Sequence, residues 1–257
     1  MTYAGLDVGS RTIVLVEFDG CIRDYRIVDA GPNPLERCRR LLAGRFYRRL
    51  VATGYGRHLA AGEVAEDVVS EITAYAVGAR YLYPDCRTVI DVGGQDCKAT
   101  LLAEDGSVQR FEMNDRCAAG TGRFLEVMAR ALDIEIDRLG EHALSESSTV
   151  AVNALCTVFA ESEVVSLIAR GADSAAIALG VHESVAQRIA TMARRLGLRE
   201  PVVFAGGGAL NACLREVLSR RLGCELAVPE RPQIVGALGA ALIASAGGPA
   251  PSRCRAR

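Results

Sequence analysis

Two stretches decide the fold: Asp7-Val8-Gly9-Ser10, inside YAGLDVGSRTIVLVEF (residues 3–18), and Asp91-Val92-Gly93-Gly94, inside RTVIDVGGQDCKATLLA (residues 87–103). Each places an aspartate at the end of an apolar run, then a glycine turn, then a second apolar run, which is the signature of a β-hairpin. One such turn is ordinary hairpin chemistry. Two copies 84 residues apart, each with its aspartate, indicate an internal duplication. Glycine at these turns leaves the backbone N–H groups open to a phosphate. An aspartate at the strand end is suited to Mg²⁺, held through water. A polyphosphate held between two lobes is the expectation.

Working outward, residues 22–29 form a third β-run, and a short helix follows Pro32-Asn33-Pro34 through Leu41 and Leu42. A strand near 48–52 ends in the loop Thr53-Gly54-Tyr55-Gly56. Helical spacing of Val64, Val68, Ile72, Tyr75 and Ala76 predicts a helix from Glu63 to about Val77. The second half is more helical, with helices expected near 122–132, 158–169, 173–196, 209–222 and 233–246. A β-run at 201–205 leads into Gly206-Gly207-Gly208-Ala209-Leu210-Asn211. That strand end, glycine run and helix start form a third candidate ligand turn. No GxxxxGK[ST] occurs, since the only lysine is Lys98, and Gly120-Thr121-Gly122 lacks the third glycine of a dinucleotide fingerprint.

Composition narrows the class. The 257 residues are 50% hydrophobic and 24% charged, with 30 basic against 31 acidic residues. That is enough apolar side chain for a core, and it gives no net basic charge for nucleic acid or an anionic membrane. No apolar run reaches the length of a membrane span and no secretory leader pattern opens the chain. Nine scattered cysteines without a CxxC give no zinc or thioredoxin-type signal, and the expected compartment is the reducing cytoplasm. His58, His142 and His182 lack metal spacing and are expected to be surface or ordinary polar residues. Cys97, Cys213 and Cys224 are expected to be packing residues.

The three glycine motifs resemble the phosphate-1, phosphate-2 and adenosine motifs of the actin/sugar-kinase/heat-shock-chaperone ATPase superfamily. Three further segments carry a closer match: Asn114-Asp115-Arg116-Cys117-Ala118-Ala119-Gly120-Thr121-Gly122, Cys156-Thr157-Val158-Phe159-Ala160-Glu161-Ser162-Glu163, and Pro232-Gln233-Ile234-Val235-Gly236. With them the chain resembles the family of 2-hydroxyacyl-CoA dehydratase activators and benzoyl-CoA reductase ATPase subunits, over about residues 3–246. The resemblance implies an α/β fold of two RNase-H-like (actin-like ATPase) lobes, with mixed β-sheets flanked by helices and nucleotide between the lobes. The N-terminal lobe would span 1–82, with the helix 234–246 crossing back to it. The C-terminal lobe would span 83–233 and carry the cluster cysteines, and 247–257 would be a disordered tail.

The same resemblance implies a cytoplasmic homodimer with one [4Fe–4S] cluster, each subunit supplying Cys117 and Cys156. Two thiolates doubled by a two-fold axis make the four that a cubane needs. It implies ATP/ADP and Mg²⁺ as further cofactors. Asp7 and Asp91 would hold the metal, and Gln95 or Asp96 would orient the attacking water. Gly9, Ser10, Arg11, Thr12, Gly93 and Gly94 would serve the phosphates. Gly206, Gly207, Gly208, Asn211 and Gln233 would serve the nucleoside side. Arg11 or Thr12 stands where relatives commonly carry small hydroxyl residues and a lysine. The partner would be a dehydratase or reductase with its own iron–sulfur cluster, supplied by ferredoxin or flavodoxin. A cluster-free small-molecule kinase and an actin-like scaffold of the same superfamily are the rival classes.

Overall fold

The computed structural model describes residues 2–115, 118–153 and 156–246. Cys117 and the tail 247–257, both given roles above, lie outside the described residues. The chain divides into two compact units, one of Met1–Cys86, Leu102–Val108 and Gln233–Arg257, the other of Arg87–Leu101 and Gln109–Pro232.

The first unit is built on a sheet of β1 (Tyr3–Val8), β2 (Thr12–Phe18), β3 (Ile22–Asp29), β4 (Arg49–Thr53) and β5 (Asp67–Val68), in the order β3-β2-β1-β4-β5. The β1–β2–β3 meander is antiparallel and β4 is parallel to β1, so the sheet is mixed. Helices α1 (Pro34–Leu42), α2 (Arg57–Ala60) and α3 (Glu71–Leu82) connect and flank these strands. The second unit repeats the plan. Strands β6 (Thr88–Val92), β7 (Cys97–Leu102), β8 (Val108–Asn114), β9 (Val202–Ala205) and β10 (Leu226–Ala227) lie in the order β10-β9-β6-β7-β8. Again an antiparallel hairpin is followed by a strand parallel to its first member. Its helices are α4 (Gly122–Ala131), α5 (Leu139–Leu144), α6 (Thr157–Ala169), α7 (Ser174–Leu196) and α8 (Ala212–Leu222), and the last helix among the described residues, α9 (Val235–Ser245), packs on the first unit. Two mixed sheets flanked by helices are thus the observed architecture.

The central strands read as continuous apolar runs because both faces are covered: β1 is buried at all six positions. On one face α9 lies so close to β1 and α3 that a side chain at Gly5, Gly78 or Gly239 would overlap the backbone of Ala237, Val235 or Ala74. Val14, Val16, Phe18, Ala237, Leu238 and Ala241 close that side of the core. On the other face Leu6, Val8, Ile13, Leu15, Leu50 and Ala52 pack together.

Several elements depart from the sequence expectation. The helix read from Glu63 begins only at Glu71, because Ser70 caps it by accepting a hydrogen bond from the Thr73 N–H at 3.1 Å. The preceding Asp67 and Val68 instead pair with β4. The helix read over 209–222 is broken at Asn211 into a 3₁₀ turn (Gly207–Leu210) and α8, since Asn211 caps the latter. His182, expected as a surface or ordinary polar residue, is fully buried on α7, with its Nδ1–H donating to the Ala178 carbonyl at 2.7 Å. Strands β8 and β10 and helices α2 and α5 carry no clear period in the sequence.

Candidate functional site

The two duplicated hairpins place their aspartates at the carboxyl ends of β1 and β6, where open α/β sheets bind ligands. In the first unit Gly9 N–H donates to the Thr12 carbonyl at 3.0 Å, closing the turn and leaving Ser10 and Arg11 exposed at its tip. Asp7 is 7% exposed. It sits opposite Val14 across the hairpin and beside Thr53 in the parallel register with β4. Gly54, at φ +93°, and Gly236 of α9 flank the carboxylate, and a Cβ at either would press on one of its two oxygens.

The second unit reproduces this geometry with different chemistry. Gly93 N–H donates to the Asp96 carbonyl at 3.0 Å. Asp91 is 4% exposed, and Gly206, at φ +82°, abuts it as Gly54 abuts Asp7. A Cβ at Gly208 would stand 2.6 Å from Val92 Cγ1, the same distance that separates Gly56 from Val8 Cγ1. The match extends the duplication seen in the hairpins to Gly54-Tyr55-Gly56 and Gly206-Gly207-Gly208, a correspondence that sequence reasoning missed. Opposite Asp91, however, stands Lys98. Its Nζ lies 3.6 Å from Asp91 Oδ2 and 2.6 Å from Asp96 Oδ1, with the ammonium 5% exposed. Of the two residues proposed to orient water, Asp96 is therefore engaged by Lys98, while Gln95 is exposed at the turn.

Asn211, proposed to face the nucleoside, spends its Oδ1 on the Leu214 N–H at 2.9 Å. Its side chain also lies beside Gly140 of α5 and the His182 ring, whose imidazole burial holds neutral. Gly207 is open on the side where a Cβ would stand. Gln233 is half-buried in the short turn before α9.

The phosphate-type turn of the second unit is tied directly to α4. Gly122 N–H donates to the Gly93 carbonyl at 2.9 Å and Arg123 N–H to the Gly94 carbonyl at 2.8 Å. These two bonds cap the amino end of α4, which has no side-chain cap of its own. Helix α4 in turn packs on α6, where Phe124, Leu125 and Met128 share a core with Ala160 and Val164. Cys156 is the N-cap of α6 and is exposed, unlike the buried Cys38, Cys86, Cys97 and Cys213. Burial pushes the Cys213 thiol up to about 12 and raises the Cys97 thiol too, so both stay protonated, as packing residues should. Further along α6, the Glu163 carboxylate accepts the Asn153 N–H at 3.0 and 3.2 Å.

These donor sets suit the groups that the sequence points to. Asp7, buried among backbone and a hydroxyl, offers hard oxygen of the kind that hydrated Mg²⁺ takes. The exposed sulfur of Cys156 is open to a soft metal centre, and cysteine sulfur is the ligand that iron–sulfur clusters take. Among the described residues no cluster of three or more metal-ligating side chains occurs, and no helix is long and apolar enough to cross a membrane.

Comparison with known proteins follows from this geometry. Residues 35–244 match the BadF/BadG/BcrA/BcrD ATPase family. The chain is 45% identical to the (R)-2-hydroxyglutaryl-CoA dehydratase activating ATPase of Acidaminococcus fermentans, over 76% of this chain and 74% of that protein. It is 41% identical to the 2-hydroxyisocaproyl-CoA dehydratase activator of Clostridioides difficile, over 79% of this chain and 76% of that one. The structure of an activator of 2-hydroxyisocaproyl-CoA dehydratase from Clostridium difficile with bound ADPNP superposes with a TM-score of 0.88 at 38% identity, covering 95% of this chain and 94% of the other. The fold is the two-lobed, actin-like ATPase fold, and the chain belongs to the BadF/BadG/BcrA/BcrD ATPase family.

Proposed function

We propose that this protein is an ATP-dependent activator that donates single low-potential electrons to a partner 2-hydroxyacyl-CoA dehydratase or a related reductase. The glycine turns and aspartates of the two units would take Mg-ATP. Cys117 and Cys156 of two copies would hold one [4Fe–4S] cluster, whose chemistry is one-electron donation. The observation that carries this reading is the placement of Cys156: the one cysteine exposed among the described residues caps a helix in a family of dehydratase-activating ATPases. Beside it on α6, Val158, Phe159 and Val165 are also exposed, an apolar surface that a second copy of the chain would cover.

The chain's own contacts supply a route from nucleotide to thiol. Gly93, whose N–H closes the turn on Asp96, and Gly94, whose N–H would receive phosphate, hold the first amides of α4 on their carbonyls. Any rearrangement of that turn on hydrolysis shifts α4, and through its shared core α6 with Cys156 at its end. Differential binding of ATP and ADP to the two arrangements would bias them. Lys98 holds Asp91 and Asp96 in place beneath the same turn.

Iron and acid-labile sulfide, measured on anaerobically purified protein together with its mass in solution, test this function. About four iron and four sulfide per dimer are expected, and both should be lost in Cys156→Ser and in Cys117→Ser. An iron-free protein that still hydrolyses ATP would overturn the electron-transfer function.

A further inference from the structure

Thr53, the last residue of β4, is fully buried, and its Oγ1 meets no donor or acceptor among the described residues. Buried hydroxyls are nearly always bonded, because water is lost without recompense otherwise. A valine would fill the same space without that cost. The hydroxyl therefore needs a ligand to justify it.

Its neighbour indicates which. Thr53 pairs with Asp7 in the parallel register of β4 and β1, so the two side chains stand side by side on one face of the sheet. That face is covered by α9, where Gly236 leaves room for the Asp7 carboxylate. In the second unit the equivalent position beside Asp91 is Ala205, with no hydroxyl, and Lys98 supplies an ammonium instead. A carboxylate with an adjacent hydroxyl is a hard-oxygen set suited to a hydrated divalent cation, whereas a carboxylate with an ammonium is already neutralised.

We infer that Thr53 is a further binding residue of the nucleotide site: its hydroxyl hydrogen-bonds to water in the hydration shell of the divalent cation that Asp7 holds. The assignment rests on the nucleotide-binding function proposed above, and the test separates the two. Binding of a fluorescent ADP analogue is titrated with and without Mg²⁺ for the wild type, Thr53→Val, Thr53→Ser and Asp7→Asn. Thr53→Val should weaken binding with Mg²⁺ about tenfold, the size of one hydrogen bond in a charged setting, and leave binding without Mg²⁺ unchanged. Thr53→Ser should restore most of the loss. The nucleotide-free Thr53→Val protein should melt at or above the wild-type temperature, since an unsatisfied hydroxyl has been removed.

Equal Mg²⁺-dependent affinity in Thr53→Val and wild type would overturn the assignment. So would an equal loss with and without Mg²⁺, which marks a packing effect. If Asp7→Asn abolishes the Mg²⁺ dependence while Thr53→Val does not change it, the nucleotide site stands and Thr53 falls alone. A wild type that binds the analogue without regard to Mg²⁺ would overturn both.

Discussion

Asp7 at the end of β1 faces Val14 across its hairpin, whereas Asp91 at the end of β6 faces Lys98. The two units otherwise share strand order, turn length, and a positive-φ glycine against the carboxylate. Duplication thus preserved the backbone cradle while the neighbouring side chains diverged. The first unit sets a hydroxyl beside its aspartate, and the second sets an ammonium between two carboxylates. The same backbone can therefore leave a carboxylate beside a hydroxyl in one unit and hold two carboxylates against an ammonium in the other.

Removing the ammonium should break this contrast most strongly. Lys98 is 4% exposed and bridges the buried Asp91 and the half-buried Asp96, so Lys98→Met removes the ammonium that both carboxylates face. Breaking a buried pair in this way costs about 3–5 kcal/mol, measurable by denaturant unfolding. Asp7→Asn should cost less than about 1 kcal/mol, because the amide keeps the shape of the carboxylate and its strand neighbours Val14 and Thr53 are uncharged. Equal losses in the two variants would show that the units are electrostatically alike.

A smaller effect separates the units by pH. His182 is buried in the second unit and its pKa is lowered by burial, while His58 in the first is exposed. The unfolded chain therefore takes up a proton at a higher pH than the folded one. Stability is full above the ordinary value of 6.5 and falls as pH drops below it toward the depressed folded value. In hydrogen exchange, α7 and α8 should lose protection on acidification before β1–β3 do. His182→Gln should flatten that slope, and an unchanged slope would exclude His182 as its source.

Much of this was legible in the sequence. The hairpins, the glycine turns and the long helices declare themselves through local chemistry, and Cys156 was correctly expected just before a helix. What escaped depends on non-local pairing. Thr53 gains meaning only from its register with Asp7, and Gly54 only from the carboxylate that it abuts. Strand β8, VQRFEMN, is largely exposed and so lacks the apolar run that marked the others. Val64 and Val68 continue the helical spacing of α3 by chance and extend it too far back in the sequence, whereas the Ser70 cap sets the true boundary. His182 looked polar by type, but the packing of α7 buries it completely.

The proposal that nucleotide state reaches a cluster held by Cys117 and Cys156 is tested most directly by electron paramagnetic resonance. Dithionite-reduced protein is examined with ADP and with a non-hydrolysable ATP analogue, and its midpoint potential is taken in each state. The account predicts a nucleotide-dependent signal and a displaced potential, both removed when Gly93 is replaced by proline. That variant loses the Gly93 N–H and the turn closure it makes with Asp96. Identical spectra and potentials in the two nucleotide states would contradict it.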